Sequence, residues 1–320
     1  MNERRLRTHK LNNLIQSALL LAGMAAVLAL LGWLLGGGSG VIWAAVTGIL
    51  VLVLSPRASP RLMLRLHGAQ ALSVAQTPDL YALVETLAAR AGLPRLPELY
   101  YIPVQTLNAF TLGRRGQAAI ALTGGLMRHL TRRELTGVLA HEISHIRSND
   151  MWVMMLADTV SRLTRTFSLF GQFLLFLNLP LILLAGSGLP WLAILLLIFA
   201  PTISVLLQLA LSRTREFDAD LDAAELTGDP LGLASALHKL DRYQGGLLRR
   251  ILMPGGRIRD SWILSTHPSS QERIRRLTEL AETWPRPIEA RALVENPFDF
   301  SDERLALRRL PWWYLSRLQH

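Results

Sequence analysis

The sequence predicts a mostly α-helical membrane protein: four transmembrane helices in two hairpins, joined to a polar α+β domain with a small sheet. Three observations carry this. Half of the 320 residues are hydrophobic. Two uncharged stretches, residues 11–54 and 166–212, are each long enough for two crossings, since a helix spans about 30 Å of hydrocarbon with about 20 apolar residues. Each stretch breaks near its middle, at "GGGSG" (Gly36–Gly40) and at "AGSGLP" (Ala185–Pro190).

Helices of soluble proteins keep a polar face, so uncharged runs of this length do not fit a soluble core. The shortest predicted span, Val41–Leu54, needs part of the glycine turn to complete a crossing. The apolar N-terminal region is too long for a cleavable signal peptide, and no clear small-x-small site precedes the next span. With no cysteine, disulfides and thiolate metal sites are excluded.

Orientation follows from the flanks. "MNERRLRTHK" carries four Lys/Arg against one Glu, and "SPRASPRLMLR" carries three Arg and no acid, while the two turns between spans are uncharged. Positive flanks face the cytoplasm, so both termini and the polar bulk are expected there. A multi-pass membrane protein fits this pattern. The net charge of +10 then reflects this bias and attraction to anionic lipid in the bilayer. No basic patch is joined to a nucleic-acid-binding module, so nucleic acid is not expected as a partner.

In chain order, the expected units are a membrane hairpin (1–65), a first polar segment (66–150), a second membrane hairpin (151–212), a second polar segment (213–280) and a C-terminal extension (281–320). "TPDLYALVETLAARAG" reads as a helix, with Thr77 as N-cap, Pro78 in the first turn and Gly92 past its end. "ELYYIPV" reads as a strand, and "TLNAFTLGRRGQAAIALTGG" as a hairpin turning between Gly113 and Gly116. Thr131 and Glu134 have capping-box spacing, which starts a helix near Arg132 that runs through His145. Pro180 and Pro201 fall within the second apolar region, where transmembrane helices tolerate them. "SRTREFDADLDAAELTG" reads as a helix that begins as the chain leaves the membrane and ends at Gly228, and "PLGLASALHKLDRYQGG" and "SSQERIRRLTELAE" as two more.

The chemistry concentrates in "LAHEISHIRSND", residues 139–150. Positions four apart on a helix are separated by about 40° around its axis, so His141 and His145 share a face and can chelate one ion. Glu142 lies beside them without being a ligand, placed to take a proton from an attacking water. A catalytic zinc commonly takes three protein ligands. Ser148 and Met151 occupy the positions where a Gly and a third His would stand in the all-histidine motif, so a carboxylate from another helix is required. "REFDAD" supplies Glu216. Asp220, one turn on, is placed to accept a hydrogen bond from the outer nitrogen of a ligand histidine. Two spans separate His145 from Glu216, an even number, which returns the chain to the side it left.

"HEISHIRSND", "SRTREFDAD" and "TLNAFTLG" resemble the HtpX-type membrane zinc proteases, gluzincins related to the CAAX prenyl endopeptidases. The likeness covers roughly residues 67–280 and extends to "TGDPLGLASALHKL" and "STHPSSQERI". It implies that the polar segments form a zincin-like protease domain with a substrate-pairing edge strand. It also implies that His141, His145 and Glu216 ligate Zn2+, and that Glu142 is the general base. The implied activity is endopeptidase cleavage of membrane proteins, often damaged or misfolded ones, from the cytoplasmic side. Asn108 and Ala109 match an edge strand that pairs with extended substrate backbone. His267 matches a histidine that steadies the oxyanion. Arg273 has two placements open to it, a pair with an acid near the site or a basic helix face, and the face is the one expected. The tail from residue 281 has no counterpart in the resemblance, and its "PWWYLSRL" mixes aromatic and basic residues as interfacial anchors do. Two other readings compete. One is a membrane di-iron hydroxylase or desaturase, which needs clustered histidine boxes, whereas the eight histidines here are mostly scattered. The other is a catalytically silent membrane scaffold that keeps the protease fold, against which the complete His, Glu, His and Glu set stands.

Overall fold

The computed structural model describes residues 3–54, 64, 68–184, 189–251 and 270–284. The elements run α1 (Glu3–Leu54), β1 (Gln70–Ala71), α2 (Pro78–Arg90), β2 (Glu98–Ile102), β3 (Ala109–Arg114), β4 (Gln117–Thr123), α3 (Gly124–His129), α4 (Arg132–Ser148), α5 (Asp150–Leu184), α6 (Trp191–Thr227), α7 (Pro230–Ile251) and α8 (Ser270–Thr283).

Helices α1, α5 and α6 form the apolar layer. Among the described residues, three helices are long and apolar enough to cross a membrane, against the four spans expected. The difference lies in α1, whose helical pattern is interrupted only at Gly36 (φ −154°, ψ 21°) and Gly37 (φ 59°, ψ −143°). Gly37 has the positive φ that an L side chain resists. Residues eight apart on a straight helix would stand about 12 Å apart. Here a Cβ added to Gly40 would meet the Gly32 carbonyl oxygen at 2.0 Å, and Leu28 shares a cluster with Ala44 and Leu163. The two arms of α1 therefore fold back on each other at the glycines. The second break, at 185–188, lies outside the described residues.

The exposed surface of this layer carries Trp33, Phe176, Leu184 and Leu192, as a lipid-facing surface must. Inside, Ser161 Oγ donates to Gln208 Oε1 at 2.7 Å, satisfying a polar pair between α5 and α6 where no water would. Both helices continue through Pro180 and Pro201.

Two junctions differ from expectation. The helix carrying Glu216 does not start near the membrane exit; it is the unbroken continuation of α6 from Trp191. Nothing between Ser212 and Arg215 is a glycine or proline that would stop the helix. At the other junction, Asn149 takes the left-handed conformation (φ 56°) that ends α4, and α5 begins at the next residue. Both polar helices are thus attached rigidly to membrane helices.

The sheet has the order β1-β2-β4-β3, with β2 and β4 parallel and β3 and β4 antiparallel. The hairpin read from the sequence is present, with Thr111 opposite Ile120. Neither the short β1 nor α3 was expected. Thr77 stands at the N-cap of α2, but its side chain makes no capping bond. At Thr131 the capping box is complete.

Helix α4 lies at the centre of the domain, buried continuously from Glu134 to Ile146. Leu135, Leu139 and Ile143 join a core that includes Leu83 and Leu87 of α2, Ile120 and Leu122 of β4, Ala223 of α6 and Leu233 and Leu237 of α7. At Gly137 the backbone of α7 comes so near that a Cβ would lie 2.8 Å from Leu233 N. That close approach explains a glycine in mid-helix despite a propensity cost of about 1 kcal/mol.

Candidate metal centre

His141 and His145 project from one face of α4, their Nε2 atoms 3.1 Å apart. Glu216 reaches them from α6, with Oε2 3.4 Å from His141 Nε2 and Oε1 3.7 Å from His145 Nε2. One ligand atom from each of the three lies within 4.8 Å of the others. All three are buried, His141 and Glu216 at 4 % exposure and His145 at 9 %.

The outer nitrogens of both rings face carboxylates. His145 Nδ1 is 2.8 Å from Asp150 Oδ2, and His141 Nδ1 is 3.1 Å from Asp220 Oδ1. A carboxylate only accepts, so each Nδ1 carries the proton. That leaves both Nε2 atoms to offer lone pairs toward the Glu216 carboxylate. Acceptors gathered in this way attract a cation, and Arg273 supplies one at the edge, its Nη2 3.3 Å from His141 Nε2 and its Nη1 2.8 Å from Glu216 Oε2.

Metal–nitrogen bonds of about 2.0–2.1 Å in a tetrahedron put neighbouring donors about 3.3 Å apart, close to the separations here. The residues therefore fit a divalent metal. The His141 ring shows the same pull on a cation. Burial and the Arg273 charge push its pKa down, but hydrogen bonds and charge from Asp220 and Glu216 outweigh them and raise it to about 9.

Around this set runs a buried ionic frame of which the sequence reading saw only Asp220. Asp150 is held by Arg215, whose Nε donates to Oδ1 at 2.6 Å. Arg215 also donates through Nη1 to Asp218 Oδ2 at 3.0 Å. Asp218 in turn accepts from Asn13 Nδ2 of α1 at 2.5 Å, which connects the frame to the first membrane helix. On the other side stands Arg273 of α8, which corrects the expected basic helix face: it is buried, at 2 % exposure. Its Nε and Nη2 grip Asp220 at 2.7 and 2.6 Å, and its Nη1 lies 2.8 Å from Glu216 Oε2.

Arg273 takes the other placement the sequence allows, the ion pair with an acid near the site. It stands four and seven residues before Leu277 and Leu280, on the apolar stripe of an amphipathic helix. Asp150 gave no such signal, because only the left-handed turn at Asn149 brings it back onto His145.

Glu142 is buried at 3 % exposure, and its Oε2 accepts from Thr111 Oγ1 at 2.7 Å. Asn108 and Ala109 lie at the start of the edge strand β3. Their backbone is set by Thr123, whose Oγ1 accepts from Asn108 N at 2.9 Å, and by pairing of Ala109 with Leu122. His267 lies outside the described residues, as do residues 285–320 of the C-terminal extension.

A layer of long apolar helices that carries a buried His-His-Glu cluster with a further glutamate beside it outlines an integral membrane metallopeptidase. The family model and the sequence relatives agree on a peptidase. Residues 74–281 match the model of peptidase family M48. The chain is 35% identical over 286 residues to a "Protease HtpX homolog" of Paraburkholderia phytofirmans, covering 85% of this chain and 98% of that one. Another of that name from Methylibium petroleiphilum is 35% identical over 286 residues, covering 83% and 96%. The crystal structure of S. mikatae Ste24p is similar with a TM-score of 0.49 and 22% identity, over 84% of this chain and 66% of that one. The chain belongs to peptidase family M48 and is a metalloprotease.

Proposed function

We propose that this protein is a zinc-dependent endopeptidase that cleaves membrane or misfolded proteins at the cytoplasmic surface of a bacterial plasma membrane. The convergence of His141, His145 and Glu216 from two helices, with Glu142 beside them, is the observation that supports it best. His141, His145 and Glu216 would hold Zn2+, which when bound supplies Lewis acidity toward a peptide carbonyl and a water. Asp150 and Asp220 orient the two imidazoles, and Arg273, acting against burial, lowers the pKa of Asp220 and holds both Asp220 and Glu216 in place. Glu142 takes the proton of the attacking water and delivers it to the leaving amine. Substrate backbone pairs with the open edge of β3 beginning at Asn108 and Ala109, and His267 steadies the developing oxyanion.

In this reading α1 crosses the bilayer twice, which brings the spans to four in two hairpins. Both termini then lie in the cytoplasm, and segments 66–150 and 213–280 form the two halves of one protease domain. The experiment is metal analysis and casein cleavage by detergent-purified wild type and Glu142→Gln. About one zinc per chain in both, with cleavage lost only in the variant, is the expected result. Equal cleavage by the two removes Glu142 from the mechanism.

A further inference from the structure

We infer that Thr111 is a positioning residue for the general base, tying Glu142 to the strand along which substrate would lie; this rests on the function proposed above. A glutamate on a helix has three side-chain torsions, and its carboxylate sweeps a wide volume unless something holds it. Here Thr111 Oγ1 donates to Glu142 Oε2 at 2.7 Å, with both side chains buried. A hydroxyl at this distance from a buried carboxyl oxygen holds it in a narrow range of directions. It fixes one carboxylate oxygen and leaves the other to face the attacking water.

The donor is itself rigid. Thr111 lies mid-strand in β3, and its backbone is registered against Ile120 of β4. Strand alternation puts Thr111 on the same face as Ala109, two residues back. The strand whose open edge would receive substrate backbone thereby also orients the base, so a shift of one moves the other. Misplacement of a reacting group by a fraction of an ångström is enough to cost rate without costing affinity.

The test compares wild type, Thr111→Val, Thr111→Ser and Glu142→Gln as full chains in detergent. It reads kcat and KM on a fluorogenic peptide, zinc affinity by chelator competition, and melting temperature. Thr111→Val, equal in shape but without the hydroxyl, is expected to lose about tenfold in kcat, in line with the loss of an orienting contact. KM and zinc affinity should stay at wild-type values, and the variant should remain folded at the assay temperature even if its melting temperature falls by the few degrees expected from a lost buried hydrogen bond. Thr111→Ser, which restores a donor, should recover most of the loss. Wild-type kcat in Thr111→Val overturns the inference. So does an equal defect in Thr111→Ser, or a kcat loss that runs in parallel with lost zinc. Full activity in Glu142→Gln would instead overturn the underlying mechanism, which separates the two failures.

Discussion

At the scale of single residues, the centre is a problem of charge. Glu142, Asp150, Glu216, Asp218 and Asp220 face Arg215 and Arg273 in a buried volume, so a divalent cation brings the set near neutrality. Removing one partner of a buried ion pair leaves an uncompensated charge at about 3–5 kcal/mol. Arg273→Met should therefore lower the melting temperature of the metal-free protein by several degrees, and added zinc should restore part of the loss. A metal-free melt equal to wild type would show that the guanidinium does not stabilise the acids.

A second charged residue, Glu134 at the start of α4, accepts from Ser235 Oγ and Lys239 Nζ at 2.6 Å each. Burial pushes its pKa up, but Lys239, Ser235 and Thr131 together hold it below the usual 4.5. A depressed carboxylate contributes stability above its unfolded pKa, and that contribution is lost as pH falls through its folded value. Between pH 7 and pH 3 the wild type should lose more stability than Glu134→Gln, which keeps the capping geometry without the charge. Parallel melting curves across that range would exclude the linkage.

At the scale of elements, the decisive feature is that α6 is one helix from the apolar layer to Thr227. Each residue turns a helix by about 100°, so the phase of the membrane arm sets where Glu216 points. Inserting one alanine after Ser212 should rotate Glu216 relative to that arm. The expected results are loss of bound zinc, measured by metal analysis, and loss of cleavage. A variant with full zinc content would mean that the polar end of α6 is oriented by its own contacts alone. The sequence does mark the end of this helix at Gly228, in the left-handed conformation (φ 69°). It gives no sign of a helix start between Ser212 and Glu216, and reading one there separated the candidate ligand Glu216 from the apolar arm it continues.

At the scale of the whole molecule, α1, α5 and α6 share contacts that join the apolar layer to the metal centre. Met24, Ala157 and Leu211 pack together, as do Leu31, Leu197 and Ala200. The Asn13–Asp218 bond ties the same helices at the polar end. On the proposed topology, in which α1 crosses twice, reporter fusions at residues 60, 150, 215 and the C-terminus should all report cytoplasm, and fusions at residues 38 and 187 the opposite side. A non-cytoplasmic signal at residue 215 would place Glu216 across the bilayer from the two histidines and end the three-ligand proposal.

The apolar runs, the glycine breaks, the capping box at Thr131 and the His-Glu-x-x-His pattern were legible in the sequence because each depends on near neighbours in the chain. Composition sets membrane affinity, residue spacing sets helix faces, and glycine sets where backbone can turn. The ionic frame was not legible. Asp150 meets His145 through one left-handed residue, Arg273 meets Asp220 from 53 positions away, and Thr111 meets Glu142 from a neighbouring strand 31 positions back. Such pairings depend on how packed elements approach one another, and close packing of side chains far apart in the chain is decided only when the whole core forms.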